Sequence, residues 1–180
     1  AYDLIDEAEK QEAHLQIGRL LLEAAQPKGP GENLFEIVDH LNQGCTLMDA
    51  AAERIELARL NLEAGQKAKQ ATAYAAALTY LAAGINCLSG TEMWTAHYEL
   101  AFALHRERAQ VEYFNGNFAE AEALVTLVLA QAKTPLEKAE VYHTLIMQQT
   151  LVADYEAAMA SGLQALALLD FNLPTTDLQA

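Results

Sequence analysis

Cysteine, proline and basic residues are all scarce in this sequence of 180 residues, and the scarcity of each excludes a class of structure. The two cysteines, Cys45 and Cys87, form no CxxC pair and no regular ladder of spacings. They therefore indicate neither a disulfide framework nor a zinc site, and we expect both to be small, partly buried apolar residues. The four prolines leave long uninterrupted segments, rich in alanine and leucine and poor in β-branched residues, which favour helix.

The charge balance is strongly acidic, with 25 acidic against 11 basic residues and a formal charge of −14. Such a surface repels nucleic acids and acidic membrane leaflets, so neither is an expected partner, whereas a basic peptide or a protein surface is possible. The uncharged run of 22 residues between Lys69 and Glu92 contains polar residues and much alanine, so it predicts a buried helix rather than a membrane span. Because the sequence shows no signal peptide or transit segment, we expect a cytoplasmic location.

Catalytic and metal-binding patterns are missing as well. Neither serine lies in a GxSxG or SxxK motif, and the chain has no phosphate-cradling GxxxxGK[ST] motif and no HRD or DFG triplet of a kinase. The five histidines form no HExxH motif and no pair four residues apart. The sequence thus predicts no catalytic residue, no cofactor and no metal ligand, and we do not expect this chain to be an enzyme.

A short motif occurs twice. The segment Asn115–Ala121 (NGNFAEA) is repeated by Ala153–Ala158 (ADYEAA), with a period of 37 residues when Gly116 is aligned with Ala153. In each copy a tight turn precedes a polar residue, an aromatic residue, one or two acids and a small residue. Apolar-periodic segments flank both copies, which predicts helix–turn–helix repeats of the tetratricopeptide type that stack into a solenoid and bind other molecules. A third equivalent turn is predicted at Gly65.

Apolar periodicity predicts seven or eight helices, of which the last six form three antiparallel hairpins joined by short turns. Thr134, followed by Pro135, predicts a helix N-cap, and so does Asp154. The predicted fold is an all-α superhelix, a solenoid of tetratricopeptide-like hairpins in residues 49–174, with N-terminal helices in residues 1–48 and a frayed tail in residues 175–180. An ordinary antiparallel helical bundle is the alternative.

The predicted helices cover about residues 3–25, 33–42, 49–63, 67–88, 94–114, 118–133, 136–152 and 155–170.

The three predicted turns also select a candidate binding face. In tetratricopeptide arrays the first helix of each pair lines the concave face, and side chains such as arginine, tyrosine, histidine and methionine can bind a peptide or a loop of a neighbouring domain there. The alternative is that these side chains contact the next repeat, or nothing. The seven candidates are Arg59, Leu62, Arg106, Gln110, Tyr113, His143 and Met147.

Three blocks of the first half of the chain carry a family resemblance: Ile17–Leu22, Asn33–Gly44 and Glu53–Lys69. They resemble the helical segment behind the AAA-type ATPase module of large bacterial, and especially cyanobacterial, hybrid serine/threonine-kinase–histidine-kinase signalling proteins. The resemblance covers nearly the whole chain, from about Leu4 to Pro174. It implies that the chain is a piece of a longer polypeptide, and the matching blocks carry no catalytic residue of that family.

Two functional hypotheses follow. The first is a non-catalytic helical-repeat scaffold that mediates protein–protein or interdomain interaction within a signalling ATPase or kinase. The alternative is a small-ligand sensor domain of an ATPase-type regulator, which an aromatic-lined pocket between long helices would favour. Exposed apolar end faces of a solenoid would also permit a homodimer.

Overall fold

The structure is a computed structural model that describes residues 6–25, 29–89 and 92–171. These residues form nine α-helices and two short 3-10 turns, at Gly31–Asn33 and Cys45–Leu47, with no β-strand among them. The all-α prediction is therefore confirmed. The first residues of the predicted N-terminal helix, and the predicted tail 175–180, lie outside the described residues. The helices are α1 (Glu7–Ala25), α2 (Leu34–Gln43), α3 (Ala51–Gln70), α4 (Tyr74–Cys87), α5 (Met93–Ala96), α6 (Tyr98–Phe114), α7 (Phe118–Gln131), α8 (Pro135–Leu151) and α9 (Tyr155–Leu168).

The long helices pack as consecutive pairs: α1 with α2, α3 with α4, α6 with α7, and α8 with α9. Each later pair also contacts the pair before it. Helix α6 packs on both α3 and α4, and α8 packs on both α6 and α7. An ion pair also links α1 to α3: the Arg19 guanidinium donates to both carboxylate oxygens of Glu53, at 2.6 and 2.8 Å, and lowers the pKa of that carboxyl group.

The predicted turn at Gly65 is wrong. Helix α3 continues through Gly65, which is buried within it, and ends at Gln70. The predicted start of the return helix at Lys67 is wrong for the same reason, since α4 begins at Tyr74. Position 65 requires a glycine because a neighbouring helix packs closely against it, and not because the backbone turns there. A Cβ atom on this residue would lie 2.7 Å from Cγ of Leu81 in α4.

The real turn between α3 and α4 is centred on Thr72. Its φ of 58° is left-handed, like the φ of 85° at Gly116 and of 60° at Ala153. In all three turns the next residue donates its backbone N–H to the carbonyl oxygen five residues earlier: Ala73 to Ala68 at 2.9 Å, Asn117 to Glu112 at 2.8 Å, and Asp154 to Gln149 at 2.8 Å. This is the hydrogen-bond pattern of a Schellman-type helix end.

The sequence after the three turns is also equivalent. The second residue after the left-handed position is aromatic, and the fifth is an alanine buried to at least nine-tenths of its surface. The motif that sequence comparison finds twice is therefore present three times, with spacings of 44 and 37 residues. The equivalent positions are Tyr74, Phe118 and Tyr155 for the aromatic residue, and Ala77, Ala121 and Ala158 for the alanine.

Within each of these three hairpins, one pair of equivalent positions, seven residues before the left-handed residue and nine after it, lies in the packing between the two helices. The residue pairs are Gly65 with Leu81, Ala109 with Val125, and Ile146 with Gly162. In each pair a small residue on one helix thus faces a larger residue on the other. The small residue is on the first helix in the first two hairpins and on the second helix in the last one. Because interiors are packed to crystal-like density, this exchange keeps the combined side-chain volume similar.

Two of the predicted helix starts are confirmed. The hydroxyl of Thr134 accepts the backbone N–H of Glu137 at 3.2 Å, and the carboxylate of Glu137 accepts the backbone N–H of Thr134 at 2.7 Å, which completes a capping box. The side chain of Asp154 accepts the N–H of Ala157 at 3.1 Å. These local signals hold because a cap needs only residues within one turn of itself.

The single helix predicted over residues 94–114 is divided. The backbone leaves the helical region at His97, with φ −127° and ψ 34°, so α5 and α6 are separate. The break allows Trp94 to pack against His105, with ring centroids 4.8 Å apart. In one straight helix, eleven residues would place these two positions about 16 Å apart along the axis, so the aromatic contact requires the break.

Candidate interaction surface

The seven predicted surface residues lie on α3, α6 and α8, which are the first helices of three consecutive hairpins and contact one another in that order. We call the side of these helices that carries Arg59, Lys69, Arg106, His143 and Met147 the first-helix surface. It is built mainly of polar and charged side chains, which pair with each other across the helix boundaries.

Three of the seven predicted residues come together between α6 and α8. Arg106, Gln110 and His143 line a cavity of about 420 Å³ together with Glu107, Glu140 and Thr144. The Arg106 guanidinium forms an ion pair with Glu140 and lies 5.9 Å from the centre of the Phe102 ring. Arg106 therefore ties α6 to α8, and it is only partly available to an outside partner.

A second polar network ties α3 to α6. The ammonium group of Lys69 forms an ion pair with Glu107 and donates to the side-chain oxygen of Gln110 at 2.8 Å. Gln66 also donates to Glu107, at 3.3 Å. The sequence does not predict Lys69 and Gln66 at this surface, because the misplaced turn at Gly65 puts Gln66 in the turn and Lys69 in the return helix. The signal that could have placed them was the motif copy at Thr72.

Arg59 and Leu62 lie in a separate cavity of about 460 Å³, between α3 and the start of α6. Residues of the α5–α6 junction, including His97 and Tyr98, form its other wall. Arg59 is exposed and makes no ion pair or hydrogen bond within the part of the chain that the structure describes. Its guanidinium is therefore available to a partner at no cost to internal contacts.

The last two predicted residues differ in their role. The hydroxyl of Tyr113 donates to the backbone carbonyl of Gln148 in α8 at 2.6 Å, and its ring packs edge-on against Phe118, with centroids 5.0 Å apart. Tyr113 thus joins two hairpins. It contacts the next repeat, as the alternative to partner binding describes. Met147 is 40% exposed on α8, one helical turn beyond His143.

Beneath this surface lies His105, whose imidazole is buried in α6. Its Nδ1 atom lies 2.8 Å from the carbonyl oxygen of Ala101, so Nδ1 carries the proton that donates in this bond. Burial lowers the pKa of this imidazole, because the charged form would lose its hydration, and the nearby charge of Arg108 acts in the same direction. His105 is therefore a neutral structural residue at neutral pH.

We expect His105 to make the fold less stable in weak acid. Its native pKa is below the unfolded value of about 6.5, so its contribution is fully present above that pH and decreases as the pH falls from there towards the native pKa. The free energy of unfolding of the His105→Gln variant should therefore change less between pH 7.5 and 5.5 than that of the wild type. Urea unfolding at both pH values measures this, and equal changes in the two proteins would contradict the assignment.

Within the described ranges no group of three or more histidine, cysteine, aspartate or glutamate side chains could hold a metal ion. No helix in those ranges is long and apolar enough to cross a membrane. The 22-residue uncharged run therefore does not form a span there; its described part supplies α4 and the turn before it.

The chain is similar to a segment of the hybrid signal transduction histidine kinase G of Dictyostelium discoideum, with 29% identity over 191 residues. The similarity covers 92% of this chain and 6% of the relative, so the chain spans a small part of that protein's length. No protein-family profile matches the sequence. No solved structure is detectably similar to it.

Proposed function

We propose that this chain is a non-catalytic, tetratricopeptide-like scaffold that docks protein modules onto one another within a signalling protein. The observation that carries this proposal is the threefold hairpin unit. Its turns at Thr72, Gly116 and Ala153 share backbone geometry, hydrogen bonds and the following motif, and the first helices of the last two hairpins, α6 and α8, each pack on both helices of the preceding pair. Units that contact only their neighbours form arrays whose first helices lie side by side and present one extended surface.

The similarity to a hybrid histidine kinase supports the signalling context. We propose that the parent polypeptide carries kinase and AAA-type ATPase modules outside this segment, in the cytoplasm, and that the helical array transmits conformational changes between them. Whether the parent is bacterial stays a prediction, as does the homodimer. The division into residues 1–48 and 49–174 also stays a prediction.

A protein is the partner that the first-helix surface fits. It combines the cation of Arg59, which makes no ion pair with the described residues, with an exposed thioether at Met147 and an exposed imidazole at His143. Arginine is enriched at the centre of protein interfaces, and methionine adapts to irregular apolar surfaces. The formal charge of −14 continues to argue against nucleic acid. The two cavities found on this surface among the described residues are lined mainly by polar and aliphatic side chains, with Tyr98 as their one phenol ring, and the small-ligand alternative requires a more aromatic lining.

The docking proposal is tested by calorimetric titration of this chain with the separately expressed modules that flank it in its parent polypeptide. We expect one flanking module to bind, and the double variant Arg59→Ala/Met147→Ala to weaken its Kd at least about tenfold, which corresponds to roughly 1.4 kcal/mol. Both side chains are exposed and make no internal bond that the substitution would remove, so the fold should be unaffected. Arg106 and Tyr113 are less suitable, because each joins two hairpins.

A matched control replaces one cation and one apolar side chain away from the first-helix surface: Lys138→Ala, on the side of α8 that lines a groove with α7 and α9, with Leu20→Ala on α1. The control should bind the module as tightly as the wild type. Equal losses in both double variants would show that binding does not use the first-helix surface. Thermal stabilisation by a small molecule, with no module bound, would instead favour the sensor alternative.

A further inference from the structure

The two cysteines, which are isolated in the sequence, are neighbours in the structure. Cys45 opens the 3-10 turn that follows α2, and Cys87 is the last residue of α4, 42 positions later. Both side chains pack against the same apolar core cluster, and Cys45 lies close enough to Cys87 to influence its thiol. The expectation that each is a partly buried residue is confirmed, since both are intermediate in exposure. What the sequence could not show is that they form a pair.

The pair is accessible from one side. Cys87 lines a cavity of about 320 Å³ together with Arg54, Ile55 and Met93. The pKa of the Cys87 thiol is raised to about 11, mainly by loss of hydration and also by the neighbouring Cys45, whereas the charge of Arg54 lowers it. At neutral pH the Cys87 thiol is therefore protonated, and its exchange reactions accelerate as the pH rises, because the thiolate is the attacking species.

We propose that Cys45 and Cys87 form a reversible intramolecular disulfide that ties the segment between α2 and α3 to the C-terminal end of α4. The oxidant is a low-molecular-weight disulfide such as oxidised glutathione. One protein thiolate attacks it, forming a mixed disulfide and releasing one glutathione thiolate. The second protein thiol then loses its proton and attacks the protein sulfur of the mixed disulfide. The second glutathione leaves, so one disulfide is reduced as the other forms.

Oxidation would fix the relative position of three elements that the reduced chain holds only by packing and hydrogen bonds: α2, α3 and α4. Closing a loop of this length restricts the unfolded chain, so the oxidised protein should melt roughly 10 °C above the reduced protein. For an array that transmits movement, such a bond would limit bending at the first of the repeated hairpins. This consequence rests on the proposed scaffold function, whereas the disulfide itself does not.

The test uses the wild-type chain in glutathione buffers of graded oxidised-to-reduced ratio at pH 8, quenched with acid and alkylated with N-ethylmaleimide. Intact mass spectrometry should show a monomer lighter by about 2 Da that takes up no maleimide and returns to the reduced mass with dithiothreitol. The Cys45→Ser variant, which keeps one thiol, should form only the mixed disulfide with glutathione. The same titration in 8 M urea should need about 100-fold more oxidising conditions, because unfolding separates the two sulfurs.

Three results would overturn the proposal. The first is a wild-type chain that ends as a mixed disulfide with glutathione or as disulfide-linked dimers. The second is oxidation that is as easy in urea as in buffer, which would mean that the fold does not bring the thiols together. The third is uptake of maleimide by both cysteines at every glutathione ratio. All three readouts are independent of module binding, so failure of the scaffold proposal would leave this result unaffected.

Discussion

The Asn61→Asp substitution should destabilise this protein by about 3–5 kcal/mol at pH 7, the cost of leaving a charge buried without a partner of opposite sign. Asn61 is fully buried in α3 and exchanges two amide hydrogen bonds with Asn42 of α2, at 2.8 and 2.9 Å. Its amide nitrogen also donates to the carbonyl oxygen of Leu57, at 3.0 Å. A carboxylate has no hydrogen to donate, so both donations would become contacts between acceptors.

Chemical denaturation at pH 7 and at pH 4 tests this expectation. The loss should be smaller at pH 4, because burial raises the native pKa of the introduced carboxyl group and the protonated form can donate one hydrogen bond. The matched control is Asn42→Asp, at the half-buried end of the same pair, which should lose only about 1–2 kcal/mol. If the two variants lost equal stability, burial of the charge would not be the cause.

Gly65→Ala should destabilise the fold by about 1–2 kcal/mol, although alanine favours a helix by about 1 kcal/mol relative to glycine. The added methyl group would lie 2.7 Å from Cγ of Leu81, and because the Leu81 side chain is fully buried it would have to shift within a packed core. At the opposite end of the array, Gly162→Ala should instead stabilise by about 0.5–1 kcal/mol, since its nearest neighbour, Cδ1 of Ile146, would lie 3.8 Å away.

A double variant tests whether the two hairpins are equivalent. Gly65→Ala combined with Leu81→Val reproduces the Ala109 and Val125 pair of the next hairpin, so it should recover most of the stability that Gly65→Ala loses. Leu81→Val alone should cost about 1 kcal/mol, because it leaves a small cavity. Urea unfolding of the four proteins gives the coupling energy directly. Additive losses would mean that these positions do not face each other as equivalent packing pairs.

The contrast between Gly65 and Gly116 shows where sequence reasoning reached its limit. Both glycines follow a long helical segment, and both were assigned to turns. Gly116 has a left-handed φ and is open to solvent, so its turn depends only on its own backbone. Gly65 is fixed by a side chain sixteen residues further along, and no local pattern distinguishes these two uses of glycine. Threonine at the true turn concealed the first motif copy, because β-branched residues are rarely left-handed.

The same distinction explains the outcome for the candidate surface. Arg106, Gln110 and His143 were placed by the correct turns at Gly116 and Ala153, and they line one cavity. Lys69 was assigned to the wrong helix by the incorrect turn, although it makes the main link between α3 and α6. Pairing across helices depends on which side chains face each other after folding, and the one-dimensional pattern contains that information only when the register is correct.

The sequence by itself determined that the chain is helical, where the caps at Thr134 and Asp154 begin helices, and that a hairpin unit recurs. Each of these depends on residues within one or two turns of each other, where propensity and backbone hydrogen bonding decide the outcome. The tertiary structure alone decided the role of Gly65, the break at His97, the hydrogen-bonded pair of Asn42 and Asn61, and the packing of Cys45 and Cys87 against one core cluster. Those features arise from contacts between residues far apart in the chain, which close packing fixes only after the helices have assembled.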